Sequence, residues 1–210
     1  MARTLPAPPP RIARLPRNHA GYPVPWFVAF IDGTPDFRII GENKLNDAVR
    51  FRCCWLCGDP LGANAAFVLG PMCGITRTSP EPPSHRDCAD YAARACPFLA
   101  TPSMRRRENG IPEDAREPDG IMIRRNPGAT LVWVSRTWTR QPYLRLWEVG
   151  DPIETRWYAE GRAATRDEVL ASIDSGLPLL RAEAERDPRP TAALAELDSQ
   201  HARAMALLPN

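Results

Sequence analysis

Four residues have types and spacing suited to metal chemistry: Cys54 and Cys57, then His85 and Cys88. Each pair encloses two residues, and 27 residues lie between the pairs. Thiolate sulfur and imidazole nitrogen are the donors that zinc takes, four at a time, in a closed tetrahedral site. Gly58 follows Cys57 directly, as a tight knuckle requires if both sulfurs are to face one ion. One such pair is weak evidence, but two pairs in a chain read as cytoplasmic predict a structural Zn²⁺ site with a Cys3His ligand set. Cys53 is an alternative to Cys54, although the two-residue gap favours Cys54. Cys73 and Cys96 are expected to be small buried apolar residues, and His19 and His201 to be surface histidines. The competing reading has no metal and all six cysteines in ordinary structural roles.

A second constellation is basic and aromatic. Residues 121–147 hold Arg124, Arg125, Arg136, Arg140 and Arg145 with no acid, interleaved with Trp133, Trp138, Tyr143 and Trp147. Arginine with exposed aromatic rings can hold phosphate and stack on bases. Arg105, Arg106 and Arg107 form a second candidate phosphate clamp. Against this stand two ordinary facts: tryptophans in strands usually belong to a core, and short arginine runs are usually solvated. Residues 148–210 reverse the balance, with twelve acids against seven arginines.

The elements that must position these residues can be outlined. Val24 to Ile31 and Phe37 to Ile40 read as strands around the turn Asp32-Gly33-Thr34-Pro35, and Asn43 to Phe51 as a short helix leading to the cysteines. Ala65 to Leu69 and Met72 to Thr76 are expected to form a hairpin around Gly70-Pro71. Ser84 is expected to cap a helix from His85 to about Ala95. The order knuckle, hairpin, helix resembles a treble-clef zinc finger over roughly residues 52–97. Thr101 to Asp119 reads as a linker. Ile121 to Ile123, Thr130 to Ser135 and Leu144 to Val149 read as strands, with a turn at Asn126-Pro127-Gly128. Thr165 and Glu168 have capping-box spacing. That helix is expected to stop near Gly176-Leu177-Pro178. A stretch over Leu179 to Arg186 and a last helix over Thr191 to Leu208 follow, the latter with Leu194, Leu197, Met205 and Leu208 near one face.

Composition bounds the rest. The chain has 210 residues, enough to bury roughly 70% of its unfolded surface. It has 24 prolines, six cysteines and a net charge of +2, with 26 arginines against the single Lys44. No run of 18 apolar residues marks a membrane span. Met1 to Arg17 lacks an apolar signal core, so the expected setting is cytoplasmic, where cysteines bind metal more often than they form disulfides. Phosphate-binding glycine loops, the nucleophile elbow and the H-E-x-x-H pair are all absent. A zinc deaminase would need a His-x-Glu element, which is absent, and a treble-clef nuclease an extra histidine for water activation with a second metal, for which the sequence offers no matching pair.

Val24-Pro25-Trp26-Phe27-Val28 with Pro35-Asp36-Phe37-Arg38, the run from Cys54 through Pro82-Pro83-Ser84-His85-Arg86-Asp87-Cys88 to Cys96-Pro97-Phe98, and Trp157-Tyr158-Ala159-Glu160-Gly161-Arg162 together resemble uncharacterised proteins of bacteriophages and bacterial genomes. The resemblance spans nearly the whole chain and implies no known activity.

The expected fold is α+β: a small antiparallel sheet, a treble-clef-like zinc module and C-terminal helices. Residues 1–22 would be a flexible Pro/Arg-rich arm, 23–100 the strand hairpin with the zinc module, 101–120 a linker, and 121–210 strands followed by helices. The expected function is a non-catalytic zinc-binding adaptor or regulator contacting protein or nucleic acid, with a phage or mobile-element setting. The alternatives are a nucleic-acid binder using the arginine and tryptophan stretch, and a zinc-containing nuclease-like enzyme.

Overall fold

The computed structural model describes residues 5–107, 109–111, 125–141, 143 and 146–210. The expected strand Ile121 to Ile123, with Arg124 and Arg145, lies outside these residues. The fold is α+β, built from small antiparallel sheets with two helices at the C-terminal end.

After a short turn of helix, α1 (Pro10–Ala13), strands β1 (Val28–Ile31) and β2 (Thr34–Ile40) pair antiparallel. Asp32 and Gly33 join them with φ of 48° and 76°, the two-residue turn whose twist matches hairpin strands. The first strand begins at Val28 rather than Val24. Pro23 and Pro25 have no amide for a ladder, and Trp26 gives its amide to the Leu56 carbonyl instead (2.8 Å). Helix α2 (Lys44–Arg50) then leads to the cysteines, with Leu45 and Ala48 buried.

The expected hairpin over 65–76 does not form. Strand β3 (Ala65–Leu69) pairs with β5 (Thr130–Ser135), Phe67 facing Trp133 and Leu69 facing Leu131. Pro71–Thr76 is a helix, α3. Gly70-Pro71 places proline in the first helical turn, where its missing amide costs nothing. Strand–helix therefore replaces the hairpin of a treble clef. Beyond it come β4 (Thr78–Ser79) and α4 (Arg86–Ala95).

All six residues of β5 are buried, which makes it a central strand. On its far side runs β8 (Pro152–Ala159), unanticipated from sequence, followed by β9 (Arg162–Ala163), in the order β3-β5-β8-β9. A second sheet, β4-β7-β6, adds β6 (Trp138–Gln141) and β7 (Leu146–Val149). One face of the larger sheet carries Phe67, Leu69, Leu131, Trp133 and Trp157 into the main core. There it meets α3 and the long helices α5 (Arg166–Ala184) and α6 (Pro190–Met205). The other face, with Ala66, Val132 and Val134, is covered by Ala89 and Ala93 of α4.

The capping box forms: Thr165 accepts the Glu168 amide, and the Glu168 carboxylate accepts the Thr165 amide (2.8 Å). The expected stop near Gly176-Leu177-Pro178 does not occur, and α5 continues through Pro178 to Ala184. Its buried stripe, Val169, Ser172, Ile173 and Gly176, shows why. Gly176 lies against Met72, where a Cβ would come within 2.9 Å of the sulfur. Packing on α3 thus outweighs the roughly 3 kcal/mol penalty of an interior proline. In α6, Leu197 is buried, and Leu208 is buried just past the helix end. Trp157 pins that tail by donating its indole N–H to the Leu207 carbonyl (2.9 Å).

Candidate metal centre

The first ligand pair is shaped by a knuckle. Cys54 gives its amide to the Asp59 carbonyl (2.7 Å), and Gly58 gives its amide to the Cys54 carbonyl (2.9 Å). Gly58 has a φ of 80°, and a Cβ there would lie 2.6 Å from the Trp26 indole. The turn therefore accepts only glycine on both conformational and steric grounds. Within the knuckle, Trp55 turns to the main core and stacks on Phe27, with ring centroids 4.6 Å apart. Cys54 and Cys57 face the opposite way, into a small separate cluster.

The second pair is delivered by β3. Ala66 and Ser84 exchange backbone hydrogen bonds (2.8 and 2.7 Å), and the Pro83 carbonyl accepts the Trp55 amide (3.0 Å). This fixes the approach to α4 against the knuckle. The N-cap of α4 is His85, with extended backbone, rather than Ser84, whose amide and carbonyl serve the strand. His85 and Cys88, three apart at the start of a helix, then share one side.

The four ligand atoms of Cys54, Cys57, His85 and Cys88 all lie within 4.8 Å of one another. A tetrahedral zinc with bonds of about 2.3 Å to sulfur would set the sulfurs about 3.8 Å apart. The cluster has that size and that donor set, so the site can hold a metal ion. Cys54 and Cys88 are fully buried, Cys57 nearly so, and His85 is half-buried.

The imidazole is oriented from outside the cluster. His85 Nε2 lies 3.0 Å from the Pro60 carbonyl oxygen. A carbonyl only accepts, so Nε2 carries the proton. Nδ1 then presents its lone pair to the sulfurs, 3.4 Å from Cys57 Sγ and 4.0 Å from Cys88 Sγ. Such an outer hydrogen bond is the usual device for holding a metal-ligating histidine in one tautomer. Cys54 Sγ also accepts the His85 amide (3.3 Å). Hydrogen bonds from Cys57 and Cys88 hold the Cys54 thiol below its ordinary value. The two donors are pushed up in turn, Cys57 to about 11. Loading a cation at this site displaces those protons.

The remaining cysteines lie apart from the cluster. Cys53 is bridged to Pro60, and burial raises its thiol. Cys73 sits on α3 rather than on a hairpin, half-buried against the main core, and burial pushes its thiol up to about 11. Cys96 is the half-buried C-cap residue of α4.

The candidate arginines are dispersed. Arg105 is exposed and its backbone bridges Arg125, whose guanidinium donates to the Ser175 carbonyl (3.2 Å). Arg106 donates to the Arg38 carbonyl (2.9 Å), and the Arg107 carbonyl accepts from Arg38 (3.3 Å). Arg125 and the exposed Arg136 flank opposite ends of β5, a six-residue strand about 20 Å long. Arg140 lies over the Trp147 ring, 5.5 Å from its centroid, with its Nε buried and unpaired. Trp133 and Trp147 are core residues, 0% and 4% exposed, and offer no face to a base. Tyr143 alone of the four aromatics stands out, at 97%.

Sequence reasoning missed a layer around the cysteines. Ile12 is 3% exposed and packs in one cluster with Cys54, Leu56, Cys57 and Cys88. Arg11 pairs with Asp87 (3.3 Å) and Asp59 (3.7 Å), and Arg14 pairs with Asp59. The signal lay in charge: Asp59 follows the knuckle and Asp87 falls between two ligands, while the segment before them is basic.

Compared with known proteins, the chain matches no family model, no curated protein and no solved structure. Among the described residues, no helix is long and apolar enough to cross a membrane.

Proposed function

We propose that Cys54, Cys57, His85 and Cys88 bind one structural zinc ion, and that the chain is a non-catalytic zinc-dependent adaptor or regulator. The observation that carries this reading is the convergence of three sulfurs and one oriented imidazole nitrogen within 4.8 Å. Three thiolates favour zinc over calcium or magnesium, which take oxygen. Four protein ligands fill a tetrahedron, leaving no position for the water that zinc hydrolases activate. The bound ion would supply coordinate bonds that fasten the knuckle to the first turn of α4. The partner class is protein or nucleic acid, and the burial of Trp133 and Trp147 weighs against base stacking on that stretch. A cytoplasmic setting, where thiols stay reduced, suits the centre. The phage or mobile-element setting rests on the resemblance in sequence alone.

The test is elemental mass spectrometry on untagged protein together with a thiol count. One zinc per chain, with three thiols protected from reagent until the metal is chelated, is expected. Metal-free folded protein whose six cysteines all titrate would overturn the reading. A salt-sensitive shift of single-stranded DNA or RNA would place nucleic acid as the partner.

A further inference from the structure

The residues before the first strand do not hang free. The Ile12 and Ala13 amides both bond to the Pro9 carbonyl (2.9 Å each), and the Leu15 amide bonds to Ile12 (3.1 Å). Farther on, residues 16–24 loop back on one another and end at the buried Val24. The Val24 amide donates to the Pro16 carbonyl (2.7 Å), the Asn18 amide to Tyr22 (2.9 Å), and Arg17 to the Gly21 carbonyl (2.7 Å). Residues 10–15 thus form a flap with a fixed root at 16–24. Its own amides are spent on itself, and side chains supply its grip on the metal centre.

That grip has two parts. Ile12 and Leu15 reach the apolar cluster that contains Cys54, Cys57 and Cys88, with Leu61 and Tyr91 at its margin. Arg11 and Arg14 converge on Asp59, and Arg11 also reaches Asp87. Both arginines are about half exposed. Exposed ion pairs are individually weak and are screened by salt. One buried aliphatic side chain with a few screened ion pairs is a much smaller hold than the core has, so the flap can open without unfolding the rest. While closed, it puts an isoleucine where water, a chelator or an oxidant would have to approach the sulfurs.

We propose that residues 10–15 are a salt-sensitive latch over the metal centre, setting how fast the ion enters and leaves. The proposal rests on the zinc reading above. The latch acts on exchange rate through access, separately from the four ligands, which set affinity. Arg11 and Arg14 are its electrostatic catch and Ile12 its plug.

The test uses the full-length zinc-loaded protein, mixed with an excess of a coloured zinc chelator, at low and at high sodium chloride. Wild type should release zinc slowly at low salt and about three- to tenfold faster at high salt, the range expected for screening several exposed pairs. The double variant Arg11→Gln/Arg14→Gln should release rapidly at both, its salt dependence gone. Ile12→Ser should release at least about tenfold faster at low salt, since it removes the buried plug. Each variant should still hold one zinc and melt close to wild type. Equal release rates for wild type and the double variant, with the same salt response, would sink the latch while leaving the zinc site standing. The double variant changes only exposed positions, so this comparison survives if Ile12→Ser misfolds. Wild type that retains no zinc at all would instead overturn the zinc reading, and the latch with it.

Discussion

The main core and the candidate metal centre are separate clusters that bury very different amounts of apolar surface. The core gathers Trp55, Phe67, Leu69, Leu131, Trp133, Trp147, Trp157, Val169 and Ile173. These are large side chains whose removal from water is worth roughly 25 cal/mol per Å². The metal centre buries Ile12, Cys54, Leu56, Cys57 and Cys88. Three of those five are ligands, and they come from segments far apart in sequence. So little apolar surface cannot order three loops by itself, because each ordered residue costs about 1–2 kcal/mol of backbone entropy. Helix α4 ties the metal centre to the face of the sheet opposite the main core. One side offers Cys88 to the ligand set, and the other lays Ala89 and Ala93 on Ala66, Val132 and Val134. On the proposed zinc reading, coordinate bonds would do at one end of α4 what hydrophobic burial does for the sheet.

The largest effect should come from breaking the metal side. On the proposed zinc reading, Cys88→Ser or exhaustive chelation should remove a contribution on the order of 10 kcal/mol to local folding. Hydrogen exchange should then show amides of residues 54–58 and 85–90 losing protection while those of β5 keep most of theirs. Equal loss in β5 would mean that the two regions fold as one. The converse is Trp133→Ala, which empties a fully buried site and orphans the Gly150 carbonyl that now accepts its indole N–H. Global stability should fall by about 3–5 kcal/mol in urea, with zinc content of the folded fraction unchanged.

A smaller effect should follow at the joint between the regions. Asp90 of α4 accepts from Tyr158 (2.9 Å) and Arg156 (2.6 Å) of β8. Burial raises the Asp90 carboxyl, and burial with that same hydrogen bond raises the Tyr158 phenol. Asp90→Ala leaves Tyr158 without that partner, though Arg156 keeps Glu154. A urea midpoint shift equivalent to about 1–3 kcal/mol is expected. No shift would show that the alanine contacts alone dock α4.

The smallest effect lies outside both regions. The Arg162 guanidinium beside Glu168, helped by the Thr165 amide, lowers the Glu168 carboxyl from 4.5 to about 2. A depressed folded-state value contributes stability above pH 4.5 that fades as pH falls through 2. Because Glu168 is only half-buried and its partner Arg162 is exposed, under about 1 kcal/mol should be at stake. Glu168→Gln should therefore melt below wild type near neutrality and match it near pH 2. A gap that persists at pH 2 would assign the effect to helix propensity instead.

Some of this was legible in the residue order. The two ligand pairs, the turn at Asp32-Gly33, the cap at Thr165 and the strand Thr130–Ser135 each depend on a few neighbouring residues, whose local geometry is set by sequence alone. The arginine and tryptophan stretch was not resolvable that way. Its residue types suit a core and a binding face equally, and only the pairing of β5 between β3 and β8 turns Trp133 inward. The outer shell of the metal centre was equally hidden, since Pro60, Asp59 and Ile12 acquire their roles only when distant segments meet.

Sequence by itself therefore determined which residues can ligate a metal, because C-x-x-C and H-x-x-C place their donors within one turn of chain. Tertiary structure decided the rest: that β3 leaves its neighbour for β5, that α5 runs through Pro178, and that an arginine-rich segment closes over the cysteines. Each of those outcomes sets a local preference against contacts with distant residues. Burial and ion pairing summed over many residues exceed the few kcal/mol that any single proline or turn can impose.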